Sequence, residues 1–209
     1  MKTLLIASRN TGKAKELAEL FVFHPVRVIM GIDAGLPDAE ETGGSFRENA
    51  LLKAKEGALF SGECSVADDC GLEIASLNNR PGIFSKRFAL QKGSWLEAMN
   101  YLNKEVDGKP RTAYMCCALA IAWPGGRTLV KVHRVEGTLV EPRGTLGFGF
   151  DPCFLPTGSL QTYGEMTPVL RDSINHRAGA FQKLQPCVDW RELRAKPVVQ
   201  NDRPEVFTT

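Results

Sequence analysis

The feature that most constrains the fold is a hairpin. Residues 111–123 and 127–140 both read as long β runs, and only Pro124-Gly125-Gly126 separates them. The chain opens differently. Residues 3–7 form a short β run and 8–12 a polar loop. A helical stretch then begins at Lys13, with Leu17, Leu20 and Phe21 at helical spacing. Pro25 stops that helix, and residues 26–30 read as a second strand. Strands mixed with helices, set beside one long hairpin, favour an α/β fold with a mixed sheet and two lobes. The chain has 209 residues, enough for one large α/β unit or for two lobes sharing a cleft.

The remaining elements fit between these anchors. Ser45-Phe46-Arg47-Glu48 is a capping box, with Ser45 as N-cap and Glu48 returning to its backbone N–H, and it opens a helix to about residue 60. Residues 64–67 form a short apolar strand ending in Asp68-Asp69-Cys70-Gly71, and 72–77 a further strand before the turn at 78–82. Ser94 to Glu97 repeats the capping pattern for a helix to about 103. A brief strand is expected at 153–155 and a final helix at 173–184, after a helical turn begun by Thr167-Pro168. Residues 1–195 read as one domain, and 196–209, polar and Pro-containing, as a mobile tail.

Charge and composition narrow the classes. Lys plus Arg is 26 and Asp plus Glu 24, a net charge of +2, which argues against a dedicated nucleic-acid binder. A small anionic ligand needs only a local cluster. No run approaches the roughly 18–20 apolar residues of a membrane span. Ser8, Arg9 and Asn10 interrupt the N-terminal apolar run before a signal-peptide core can form, so a cytoplasmic protein is expected. The six cysteines show no C-x-x-C pair. Cys116 and Cys117 suit the two faces of one strand, and small buried hydrophobes in a reducing compartment are the expected role.

Five places carry candidate chemistry. The loop Ser8-Arg9-Asn10-Thr11-Gly12-Lys13 sits between strand and helix, where free backbone N–H groups and the helix dipole attract phosphate. It is not a P-loop, because Ala7 and Ala14 stand where that motif needs Gly and Ser or Thr. An ordinary polar turn is the alternative. Asp68 and Asp69, adjacent on a strand, point to opposite faces, so one can face a cleft. Asp69 there can ligate Mg²⁺ or orient a water, although Asp-Asp-x-Gly is also turn chemistry. Glu40 and Glu41 form a second acidic pair, and Lys53 either crosses the cleft or points to solvent. Gly147 to Pro152 is a flexible loop in which Phe148 or Phe150 can stack on a planar ligand, with Gly149 between them and Asp151 as acceptor. The alternative is that both rings cover the sheet. His176-Arg177 and the nearby Arg171 complete the set. Arg177 has only donors and therefore favours a carbonyl oxygen over an amino group.

In this order the blocks resemble the inosine triphosphate pyrophosphatase family over residues 3–186. The resemblance rests on residues 8–13, on Glu40-Glu41-Thr42-Gly43 with Phe46-x-Glu48-Asn49-Ala50, and on Ala67-Asp68-Asp69-x-Gly71-Leu72. It continues through Pro81-Gly82-Ile83-Phe84-Ser85-x-Arg87 and Gly147 to Pro152, and ends at Ser173-Ile174-Asn175-His176-Arg177. It implies a curved mixed β-sheet flanked by helices, two lobes around a central cleft, and a homodimer. The implied reaction is Mg²⁺-dependent cleavage of ITP, dITP or XTP to monophosphate and pyrophosphate.

By position, the resemblance assigns residues 8–13, Lys53, Cys70 and Arg171 to the substrate, with Lys13, Lys53 and Arg171 near its phosphates. Asp69 is the general base and a metal ligand, with Glu40 or Glu41 as the second carboxylate. Phe148, Gly149, Phe150, Asp151, His176 and Arg177 hold the base. Cys70 stands where the family commonly has Ser or Thr, Arg171 where it has Lys, and Phe84 where Tyr is common. Two further readings stay open: a non-catalytic nucleotide sensor, and a triphosphatase for modified pyrimidine nucleotides. A nucleic-acid module fits the +2 charge poorly.

Overall fold

In the computed structural model, which describes residues 1–195, the chain opens as β1 (Lys2–Ile6), α1 (Thr11–Leu20) and β2 (Val26–Met30). The tail expected at 196–209 lies outside the described residues. Next come α2 (Phe46–Ser61), β3 (Cys64–Ile74), β4 (Arg80–Pro81), α3 (Ser85–Gln91) and α4 (Trp95–Glu105). The hairpin forms as β5 (Thr112–Ala122) and β6 (Thr128–Leu139), followed by β7 (Phe154–Pro156). α5 (Pro168–Ile174), α6 (His176–Leu184) and a small hairpin of β8 (Val188–Asp189) and β9 (Arg194–Ala195) complete the described chain. The main sheet runs β2-β1-β3-β5-β6-β7, with β4 on β3. β1 is parallel to β2 and β3, and the remaining pairs are antiparallel, so the sheet is mixed.

Four local expectations are corrected. β3 does not stop at Asp68. It continues through both aspartates to Ile74, because ten consecutive register pairs with β5 override the turn preference of Asp-Asp-x-Gly. α1 starts at Thr11 rather than Lys13, with the Asn10 side chain accepting from the Lys13 N–H as N-cap. At α2 the Ser45 hydroxyl caps the Glu48 N–H as expected, but the Glu48 carboxylate returns to the Gly44 N–H. The expected final helix is two: Ser173 and Ile174 end α5, and Asn175 caps α6 by accepting from the Ala178 N–H.

Strand alternation sorts the core. Cys117, Leu119 and Ile121 of β5 join Leu4, Ile6 and Val66 against α1 and α6. Cys116, Ala118, Ala120 and Ala122 point the other way and join Leu5, Ala7 and Ala67 against α2. The adjacent cysteines therefore occupy two faces of one strand, and all six cysteines are free thiols. Farther along the α1/α6 face, Leu72, Ile74, Ala113 and Met115 pack with Ala98, Met99 and Leu102 of α4 and with Phe154. Between the two clusters on that face, β3 presents Asp68 and Cys70. This polar gap is where the two lobes part.

The α2 side depends on small residues. A side chain at Gly57 would bring its Cβ to 2.7 Å from Ala7 Cβ, and into Ser65 Oγ. Gly57→Ala should gain up to about 1 kcal/mol of helix propensity and lose about 1–3 kcal/mol to overpacking. A net fall in the urea midpoint is expected, and a rise would show that α2 does not sit this close to β1.

Candidate active site

The gap opens into a cleft of about 1030 Å³. Its floor is the middle of β3, and its walls come from the loop entering α1, residues 36–41, α2, the 148–151 loop and the start of α6. Asp68 and Asp69 are 2% and 5% exposed, and each meets cations on its own face. The Asp68 Oδ2 accepts from Arg177 Nε and Nη2 at 3.2 and 3.1 Å and lies 3.6 Å from Lys13 Nζ. The Asp69 Oδ1 accepts from Lys53 Nζ at 3.1 Å, and its Oδ2 from Asn49 Nδ2 at 3.2 Å.

These surroundings push the two carboxyls apart. Burial would raise Asp68, but Lys13 and Arg177 outweigh it and hold the group below the usual carboxylate range. Burial also dominates at Asp69, where Lys53 and Lys13 offset it only in part and Glu41 adds to it, so that carboxyl lies above its ordinary value. The more basic member of the pair is Asp69. This is the assignment that general-base chemistry needs.

Lys53 neither crosses to open space nor points to solvent. Its ammonium sits between Glu41 Oε1 at 2.9 Å and Asp69 Oδ1, and burial, the largest influence, is outweighed so that its pKa is raised. Glu41 is the member of the acidic pair that engages. Glu40 lines the cleft, is exposed, and takes part in no ion pair among the described residues. Asn49 Oδ1 accepts from the Gly43 N–H at 2.8 Å, so one side chain ties the acidic loop to Asp69. Among the described residues no three or more His, Cys, Asp or Glu side chains gather as a metal cage. The donors at hand are two carboxylates, Glu41 and Asp69, already arranged around one cation. Such a pair suits Mg²⁺, which keeps waters and substrate oxygens for the rest of its shell.

Ser8, Arg9, Asn10, Thr11 and Lys13 line the opposite wall, and Arg9 Nη1 reaches the Leu36 carbonyl at 3.5 Å. Burial opposes the Lys13 charge, yet Asp68, with Cys70 and Asp69, keeps its pKa above the ordinary value. Gly12 lies under the Phe148 ring, where a Cβ would come within 3.4 Å of Phe148 Cδ1. Phe148 also covers Arg177, with its centroid 5.8 Å from Cζ.

Phe150 behaves differently. It is buried against Trp95, edge to face at 5.0 Å, and belongs to the α4 core. Gly147 adopts φ +77°, which favours glycine, and a Cβ there would collide with Asp151. Asp151 is buried and accepts from the Phe148 N–H at 3.0 Å, so it holds the loop as well as lining the cleft beside Gly149. His176 is buried and stacked on Tyr163, and burial, with Arg177 next, drives its pKa well down, leaving a neutral imidazole. Cys70 serves as an acceptor here: Arg177 Nη2 donates to its sulfur at 3.4 Å.

Glu16 is the residue that sequence reasoning missed. Its carboxylate accepts from Arg171 Nη2 at 3.0 Å and from Arg177 Nη1. Arg171 is thus held by Glu16 and, through Nε, by Asp172 at 3.2 Å. A clue lay in the helix: Lys13, Glu16, Leu17 and Leu20 follow one i, i+3, i+4, i+7 face, where a carboxylate should not stand without a cation. Asn49 was visible only as part of a motif, and Asp68 only as the neighbour of Asp69.

Fold and site together define a class: an α/β protein whose interlobe cleft sets adjacent aspartates among several fixed cations, suited to a small polyanion. A family model described as the Ham1 family matches residues 4–187, and the chain belongs to that family. A dITP/XTP pyrophosphatase from Caulobacter vibrioides is 43% identical over 189 residues, covering 88% of this chain and 97% of its own. One of the same name from Bacillus licheniformis is 39% identical over 194 residues, covering 90% and 99%. A solved HAM1 protein from Coxiella burnetii superposes with a TM-score of 0.81 at 33% identity, covering 89% of this chain and 98% of that one.

Asp151 gives the site a pH signature. Burial raises its pKa from 3.8 to about 6, against the Phe148 N–H and the two arginines. A raised carboxyl favours folding most below its unfolded pKa, and that contribution declines as pH rises through about 6. Denaturation midpoints across pH 4 to 7.5 should carry this decline in the wild type and a shallower one in Asp151→Asn, where the Glu16 carboxyl, raised by burial to about 7, still contributes. Equal slopes in both proteins would contradict the assignment.

Proposed function

We propose that this chain is a nucleoside triphosphate pyrophosphohydrolase. It cleaves non-standard purine nucleotides such as dITP, ITP and XTP to the monophosphate and pyrophosphate. The observation that carries the reading is one cleft in which adjacent aspartates leave opposite faces of β3, Asp68 against Arg177 and Lys13 and Asp69 against Lys53 and Asn49. The names of the Caulobacter and Bacillus relatives agree with it.

In this proposal the triphosphate lies along the loop that enters α1, where the first N–H groups of a ten-residue helix and Lys13 meet negative charge. The base lies beside Phe148, within reach of Arg177. A purine that accepts at its six position matches a donor-only guanidinium, whereas adenine's amino group does not. Asp69, whose basicity burial raises above its ordinary value, takes the proton of the attacking water. Lys53 holds Asp69 and Glu41 in register, and Asn49 fixes the second Asp69 oxygen.

Glu41 and Asp69 are the residues that would hold Mg²⁺, which supplies charge neutralisation to the phosphates. The same proposal includes the homodimer and a cytoplasmic setting. Phe84 and Leu90, 51% and 71% exposed, offer apolar surface that a second copy would cover. No helix among the described residues is long and apolar enough to cross a membrane.

Asp69→Asn keeps the shape and the Asn49 contact but removes the base. Pyrophosphate release from dITP should fall at least about a hundredfold, with an unchanged circular dichroism spectrum. Turnover within a few-fold of wild type would remove Asp69 from the mechanism. A protein that binds dITP and releases nothing would instead be a sensor.

A further inference from the structure

The mechanism above gives no task to Asp68, although it is among the most deeply buried charges in the protein and its side chain is fully covered. Its single oxygen Oδ2 receives both Arg177 Nε and Nη2, and Lys13 Nζ stands 3.6 Å from the same atom. Arg177 comes from the start of α6 and Lys13 from the first turn of α1, so one atom joins the two walls of the cleft.

Donor counting sharpens this. A guanidinium carries five N–H groups. In Arg177 the Nε–H goes to Asp68, the two at Nη2 go to Asp68 and the Cys70 sulfur, and one at Nη1 goes to Glu16. One N–H, at Nη1, has no acceptor among these contacts, and Arg177 lines the cleft. The plane of a guanidinium cannot turn while two carboxylates hold three of its N–H groups, so the direction of that remaining donor is set by Asp68 and Glu16.

We propose that Asp68 is a positioning residue for base discrimination: by holding Arg177 and Lys13 on one carboxylate oxygen, it aims the remaining Arg177 N–H at a purine six-position carbonyl while the phosphates are held at Lys13. The inference rests on the nucleotide reading given above. It assigns selectivity to a carboxylate that touches neither base nor phosphate. Without Asp68 the guanidinium can swing to accommodate an amino group's surroundings, and the preference for 6-oxo over 6-amino purines is lost before catalysis is.

The test uses the full chain as wild type, Asp68→Asn, Arg177→Gln and the double variant. Two quantities are measured: the ratio of kcat/KM for dITP over dATP from pyrophosphate release, and the ratio of dIMP to dAMP affinity by calorimetry. Asp68→Asn should lower both ratios at least about tenfold, the scale on which groups that orient a functional side chain act. The double variant should be no less selective than Arg177→Gln, since both substitutions remove the same device.

Equal losses for the two nucleotides with the ratios intact, or additive losses in the double variant, would overturn the proposal and leave Asp68 a structural ion-pair partner. Removing one partner of a buried pair can unfold a protein. Asp68→Glu, which keeps the charge and moves it by one methylene, therefore accompanies it and should also lower the ratios. The double variant, with both charges gone, gives the comparison in a second folded background. A wild type that prefers dIMP over dAMP yet cleaves no triphosphate would refute the pyrophosphatase reading and leave the positioning role standing. A wild type with no such preference would refute the positioning role.

Discussion

Two neighbouring carboxylates inside a buried strand set the terms for everything around them. Side by side in a low-dielectric interior, both can be ionised only if each is matched by positive charge on its own side of the sheet. Strand geometry makes that possible, since consecutive side chains leave opposite faces. Lys13 and Arg177 answer Asp68, while Lys53 and Asn49 answer Asp69. The cations arrive on α1, α6 and α2, so the need to neutralise two adjacent charges fixes where three helices sit.

The same arrangement explains how a protein of net charge +2 can serve a polyanion. Its positive groups are not spread over a face. They are gathered in one cleft and tethered by internal carboxylates, so their orientation is set before any ligand arrives. Arg171 and Arg177 share Glu16, and the Asp68 oxygen between Lys13 and Arg177 joins the first turn of α1 to the start of α6. Preorganised charge of this kind loses little on binding, because few side chains remain to be ordered.

Much of this was legible in the sequence, and the exceptions have physical causes. The hairpin, the mixed sheet and the two faces of Cys116 and Cys117 followed from strand length and alternation, which are local properties. So did the polar loop before α1. The continuity of β3 through Asp68 and Asp69 was not legible, because local turn chemistry argued one way and ten partners on a distant strand decided the other. Glu16 was missed because its two arginines lie 155 and 161 residues away, and only folding brings them to it. Phe148 and Phe150 looked equivalent two residues apart. Both line the cleft, but the turn at Gly149 and the start of a 3₁₀ turn at Asp151 also pack Phe150 into the α4 core, while Phe148 lies over Gly12 and Arg177.

The central claim is that adjacent aspartates divide the work, Asp69 serving the chemistry and Asp68 the recognition. The most direct measurement is equilibrium binding to Asp69→Asn, titrated calorimetrically with dITP and with dATP while pyrophosphate is monitored. The account predicts that this protein releases pyrophosphate at least about a hundredfold more slowly than wild type yet still binds dITP at least about tenfold more tightly than dATP, because the Asp68–Arg177 face is intact. Loss of that preference along with turnover would show that the two carboxylates act as one unit, and would contradict the division of labour.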